Sequence, residues 1–170
     1  MIFNTFLFLI ILQRIVELIY ARKNEKWMRA RGAVEAGQKH YKWIVTLHIL
    51  FFISLLLETA VDGRELAPGW EVFMIYFGAA QLLRIWSLTS LGPYWNTKIF
   101  VLPGEKRIAR GPYRWISHPN YLVVMVEIAS LPLIFGAWRT ALIFSAANAV
   151  MLFFIRIPAE DKALKLYVQK

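Results

Sequence analysis

The chain has 170 residues, 58% of them hydrophobic, a formal net charge of +9 and no cysteine. That much apolar surface on so short a chain exceeds what a soluble core absorbs, so lipid must cover part of it. The missing thiols exclude disulfides and thiolate chemistry, and cations placed between apolar segments point to a membrane surface, not to nucleic acid.

Five apolar stretches follow along the chain, four of them near the ~20 residues that cross a bilayer. The first, Ile2–Tyr20, has no cationic stretch before it and no small-residue cleavage site after it. It is expected to be a retained helix and not a signal peptide. Arg14 and Glu17 lie three apart on it and can pair on one face. The second, Trp43–Val61, carries His48 and Glu58, ten residues apart and so on one face. Lone polar residues of this kind are more often satisfied between helices than used as ligands, the alternative being a substrate cavity that faces them. The third, Trp70–Ser90, carries Gln81 and Arg84, and Arg84 either snorkels to the nearby helix end or serves a site. The fourth, Tyr121–Phe135, is short enough that it either tilts or does not cross fully, and it contains Pro132 and Glu127. A buried Glu127 needs a cation or a hydrogen-bond donor, and Arg156 is the natural candidate. The fifth, Trp138–Ile157, follows the turn Phe135-Gly136-Ala137, so the last two segments are expected to form a helical hairpin. Pro158, between Arg156 and Glu160, should kink or end that helix. The expected fold is an all-α integral membrane protein with five transmembrane helices in a single domain.

Loop charge gives the expected orientation. Seven basic residues fall between Arg22 and Lys42, five between Lys98 and Arg114, and three between Lys162 and Lys170. The other two loops hold only Arg64 and Arg139. With five crossings the three basic regions share one side, which the positive-inside rule makes cytoplasmic, leaving the N-terminus outside.

The stretch from Gly111 to Tyr121 packs turn, aromatic and cationic residues between apolar segments. Pro119 can simply open the fourth helix, since proline suits the first helical position. That does not account for Lys106, Arg107, Tyr113, Arg114, His118 and Tyr121 within sixteen residues of one another. With Arg156 and Glu160 they are expected to build a mixed-charge pocket suited to a zwitterion. His40, His48 and His118 have no metal-ligand spacing, so no metal is expected. No glycine-rich nucleotide cradle and no GxSxG elbow occur.

Gly111-x-Tyr113, then His118-Pro119-x-Tyr121 after four residues, resembles the GxYxxxRHPxY signature of the isoprenylcysteine carboxyl methyltransferase family. Ser90-Leu91-Gly92 with Trp95, and Arg156 with Glu160, resemble the family's flanking elements. The resemblance covers residues 78–165, dividing the chain into N-terminal helices (1–77) and a catalytic core (78–170). It implies a membrane methyltransferase that uses S-adenosylmethionine. By position, Lys106, Arg107, Ile108 and Tyr113 would line the cofactor's loop. His118, Pro119, Tyr121 and Glu160 would bind the cofactor, and Arg156 would face the methyl acceptor. Ser117 stands where the family has arginine, and Asp161 follows Glu160 where a second glutamate is common. The N-terminal half is similar to a bacterial branch whose members include O-methyltransferases of alkylpyrones and alkylresorcinols.

An O-methyl transfer needs an oxyanion acceptor. A carboxylate or acidic hydroxyl is ionised near neutrality, whereas a phenol with pKa ~10 needs a base or a neighbouring cation. Arg156 could stabilise the oxyanion, and Glu127 or His118 could accept a proton. The expected partner is a lipid-like acceptor within the membrane, an isoprenylcysteine or an alkylpyrone-type polyketide. Three other functions fit the same segments: a phospholipid N-methyltransferase, an NADPH-dependent reductase of sterol-like lipids, and a lipid-binding protein without activity.

Overall fold

The computed structural model describes residues 2–167, so Lys170 of the basic tail lies outside the described residues. Helix α1 (Ile2–Arg29) leads to strand β1 (Val34–Ala36), then α2 (Gln38–Asp62) and α3 (Trp70–Leu91). Strand β2 (Ile99–Val101) and a short 3-10 turn (Gly111–Arg114) precede α4 (Pro119–Ile134). Helix α5 (Trp138–Met151) passes through a π turn (Leu152–Arg156) straight into α6 (Ile157–Tyr167).

Four helical stretches are long and apolar enough to cross a membrane: Ile2–Arg29, Gln38–Asp62, Trp70–Tyr94 and Trp138–Tyr167. Helix α4 is the exception to the expected five. Its 16 residues rise only about 24 Å at 1.5 Å per residue, short of a ~30 Å hydrocarbon core. His118-Pro119 starts it late, and just past Pro132 it gives way to the Phe135–Ala137 turn.

Three other expectations change. Helix α1 runs nine residues beyond Tyr20, because nothing from Ala21 to Arg29 breaks a helix; Arg22, Lys23, Lys26 and Arg29 therefore sit on helix and not in a loop. Pro158 does not end the last helix. The π turn just before it widens the helix by one residue, which accommodates the missing N–H and the bulk of the ring. Nor is the fold purely helical: β1 and β2 form an antiparallel ladder with Val34 opposite Val101 and Ala36 opposite Ile99. Strands of three residues are too short to show a period of two.

The interior is divided by height. At the end where α1 begins, Phe3, Leu7, Leu55, Phe77, Ile134 and Phe135 make a dry core. Glu58 closes that end by accepting the backbone N–H groups of Arg139 (3.0 Å) and Thr140 (2.7 Å), which caps α5 from a neighbouring helix. At the far end α6 seats Ala163 against Ile99 and Val101 of the ladder. Residues such as Leu57, Ile75, Leu82 and Phe154 point outward, the belt expected of a surface facing lipid tails.

Midway, four charges from three helices close on one another. Arg14 reaches Glu17 at 2.6 Å and Glu127 at 2.7 Å. Arg84 reaches Glu17 at 3.1 Å and holds Glu127 through Nε (3.0 Å) and Nη2. Gln81 also donates to Glu127. Arg84 is therefore buried in an ion cluster and does not snorkel, and the partners of Glu127 are Arg84 and Arg14, not Arg156. The four members of the cluster, two arginines and two glutamates, sum to zero.

Candidate active site

A cavity of about 440 Å³ runs from the ion cluster to the end of the molecule that carries the ladder. Its outer end is built by the start of α4, the π turn and α6. Gly111 sets the approach to α4. Its φ of 54° and its contact with α3 exclude a side chain, since a Cβ there would lie 1.9 Å from the Ser90 hydroxyl. The chain then passes Tyr113 and reaches His118, which caps α4, with Pro119 at the first helical position.

Arg156 and Glu160, four residues apart, project toward this helix start. The Tyr121 hydroxyl donates to Glu160 Oε2 and accepts from Arg156 Nε (3.1 Å). Arg156 Nη2 donates to the Thr97 carbonyl (2.8 Å). Arg156 Nη1 is fully buried and has no hydrogen-bond partner among the described residues. The result is a chain from guanidinium through phenol to carboxylate, with one cationic donor left over. His118 stacks on Tyr121 at 5.3 Å. Its Nε2 lies 3.1 Å from Asp161 Oδ1 and its Nδ1 lies 3.7 Å from Glu160 Oε1.

Glu160's carboxylate, then Asp161's, hold the His118 imidazolium above the ordinary histidine range against the effect of burial. A histidine whose folded pKa is raised adds stability below its unfolded pKa and loses that stability as pH climbs through the raised value. The melting temperature of the wild type should therefore exceed that of His118→Gln most in mildly acidic buffer, and the gap should close in alkaline buffer. A gap that widens with pH would refute this pairing. Burial, then Glu160's charge, push the Tyr113 phenol up, so it stays protonated; its oxygen accepts from Asn120 Nδ2 at 2.9 Å.

The structure thus brings Tyr113, His118, Pro119, Tyr121, Arg156 and Glu160 to one cavity, with Glu127 at its inner end. Lys106, Arg107 and Ile108 line a separate pocket beside Gly92 and Tyr94. Arg107 still reaches toward the site, donating to the Ser117 carbonyl at 3.3 Å. Arg114, the arginine closest in sequence to Ser117, is exposed and does not line the cavity.

Some contributors were not legible in the sequence. Thr97 presents the carbonyl for Arg156, and Tyr41 bonds the Thr97 hydroxyl at 3.2 Å. Asn24 donates to the carbonyls of Gly92 (3.1 Å) and Trp95 (2.7 Å), tying this loop to α1. An asparagine in a long helix just past an apolar run was the only available signal. Among the described residues no three His, Asp or Glu side chains group as a metal centre.

The chain matches the isoprenylcysteine carboxyl methyltransferase (ICMT) family over residues 72–166, from α3 through α6. It is 45% identical over 162 residues to the uncharacterized protein YpbQ of Bacillus subtilis, covering 95% of this chain and 96% of that protein. It is 25% identical over 153 residues to an uncharacterized protein of Haemophilus influenzae, covering 89% of this chain and 88% of that one. No solved structure matches the chain.

Proposed function

The chain belongs to the isoprenylcysteine carboxyl methyltransferase family, and from that premise we propose that it methylates an anionic oxygen of a membrane-embedded lipid, with S-adenosylmethionine as donor. The family is one of membrane methyltransferases that act on lipid-like substrates, and four helices of this chain are able to span a bilayer. The observation that carries the reading is the part-buried Arg156–Tyr121–Glu160 chain with its fully buried, unpaired Arg156 Nη1.

The residues present fit the donor. Glu160, near His118 and Asp161, offers a carboxylate to an ammonium, while Arg107, tied to the carbonyl before His118, is the nearer cation for a carboxylate. Lys106 and Ile108 would flank it from the adjoining pocket, and Pro119 and Tyr113 would shape the wall. When bound, S-adenosylmethionine supplies an electrophilic methyl group on a cationic sulfonium. The protein's own task is then to position the acceptor and to exclude water. Arg156 Nη1 would hold the acceptor oxygen as an anion; a guanidinium donates hydrogen bonds and has no acceptor, so it does not serve as a base. All the described partners of Glu127 are donors, so we assign it to anchoring the inner end of the cavity and not to accepting a proton.

The acceptor's tail would enter from the side. Leu18 on α1, with Val45 and Ile49 on α2, line the cavity yet remain open to the surroundings. The basic segments gather at the end with the ladder, so we place that end and the site in the cytoplasm. Alkylpyrone-type lipids and isoprenylcysteines both fit this description.

Isothermal titration of the detergent-purified protein with S-adenosylmethionine and with NADPH tests the reading. Heat from the former alone is expected. Saturable binding of NADPH instead would move the protein to the reductases, and binding of neither would leave a lipid-binding protein.

A further inference from the structure

The inner end of the cavity holds two polar groups that the ion cluster does not use. His48 Nδ1 lies 2.8 Å from the Ile44 carbonyl. A carbonyl only accepts, so Nδ1 carries the proton, and in the neutral ring Nε2 is an acceptor. That nitrogen has no protein partner among the described residues. Asn148 on α5 is 3% exposed, and its Nδ2 is fully buried with no partner among the described residues. Leaving a buried amide unpaired is costly, so its presence in an apolar wall needs a reason.

Both side chains line the cavity that also holds Arg156 and Glu160. They also share a level. The hydroxyls of Ser54 and Thr140 meet at 2.8 Å and fix the register of α2 against α5. His48 lies six residues before Ser54 and Asn148 lies eight after Thr140 on the antiparallel neighbour. At 1.5 Å per residue those offsets differ by only ~3 Å. The same rise puts Asn148 about 12 Å along its helix from Arg156. His48 is ~10 Å along α2 from Tyr41, which bonds Thr97 beside Arg156. The remaining charged groups facing this level are Arg14, Glu17, Arg84 and Glu127, and they are engaged with one another.

An acceptor nitrogen opposite a donor amide complements a group that both donates and accepts. We infer that His48 and Asn148 form a second polar station that recognises a hydroxyl on the lipid chain, roughly 10–12 Å from the oxygen held by Arg156. The hydroxyl donates to His48 Nε2 and accepts from Asn148 Nδ2. Resting on the methyltransferase reading, this narrows the acceptor class to lipids with a polar group within the tail as well as at the head. A plain acyl chain would leave both groups desolvated and unpaired, and that difference is what discriminates.

The probes are octadecanoic acid and its mid-chain monohydroxy derivative. An equimolar mixture is offered to the purified protein in micelles, and the ratio bound is read by native mass spectrometry. The ratio in the wild type should favour the hydroxylated chain about tenfold more than in His48→Leu or Asn148→Leu, since one net hydrogen bond of ~1.4 kcal/mol is a factor of ten. Comparing variants in one detergent cancels the difference in micelle partition. An equal ratio in the wild type and both variants overturns the station. If a leucine variant fails to melt cooperatively, the wild type alone decides: moving the hydroxyl to the methyl end of the chain must abolish the preference, and a preference that persists overturns it. Titration of the same wild-type preparation with S-adenosylmethionine tests the methyltransferase reading separately, so either idea can fail without the other.

Discussion

Glu160→Gln is expected to weaken S-adenosylmethionine binding by a hundredfold or more and nearly to abolish turnover, while the protein still melts cooperatively. The substitution keeps the shape of the side chain and its ability to accept from the Tyr121 hydroxyl. What it removes is the charge that pairs with His118 and, on our reading, with the donor's ammonium. With the donor bound, the Glu160–ammonium pair would be enclosed, and truncating one side of such a hydrogen-bonded charge pair typically costs 2–5 kcal/mol, about 2.7 kcal/mol being a hundredfold. Arg156→Ala should act differently. It takes away the oxyanion's cation and the hydrogen bond to Tyr121, so turnover falls steeply while donor binding suffers less. Near-normal rates from both purified variants would sink the assignment of this site. Equal loss of donor binding in both would mean that Arg156 holds the donor and not the acceptor.

The outer site was largely legible because its residues are neighbours in sequence or lie one helical turn apart. His118, Pro119 and Tyr121 belong to one helix start, and Arg156 and Glu160 to one turn of another. Spacing alone puts each set on a face. The inner cavity was not legible, because it depends on which helix stands beside which. The sequence offers Glu127 a natural partner in Arg156, near the cytoplasmic end of the fifth segment, whereas packing of α3 against α4 brings Arg84 to it. The roles of Thr97 and Asn24 rest on backbone carbonyls, which carry no mark in a sequence. The ladder escaped notice for the same reason: three residues a side are defined by their partner and not by their own pattern.

The ion cluster yields the second large effect. Arg84→Met is expected to lower stability by about 3–5 kcal/mol, the range for removing one partner of a buried ion pair. It leaves Glu17 and Glu127 facing Arg14 alone, an uncompensated negative charge among side chains that are mostly buried. Glu127→Leu should destabilise to a similar degree with the opposite sign of charge, stranding two arginines with Glu17. The double variant Arg84→Met, Glu127→Leu restores balance, because Arg14 and Glu17 remain paired at 2.6 Å. Its melting temperature in detergent should therefore lie above that of either single variant, a coupling that additive losses would not produce. If the two losses simply add, the four charges do not act as one closed unit. A different outcome would reassign Glu127: a single Glu127→Leu variant that melts like the wild type, binds S-adenosylmethionine and yet transfers no methyl group would make that carboxylate part of the chemistry. With every described partner of Glu127 a donor, and with Arg84 itself only 6% exposed, the expected loss is in the fold.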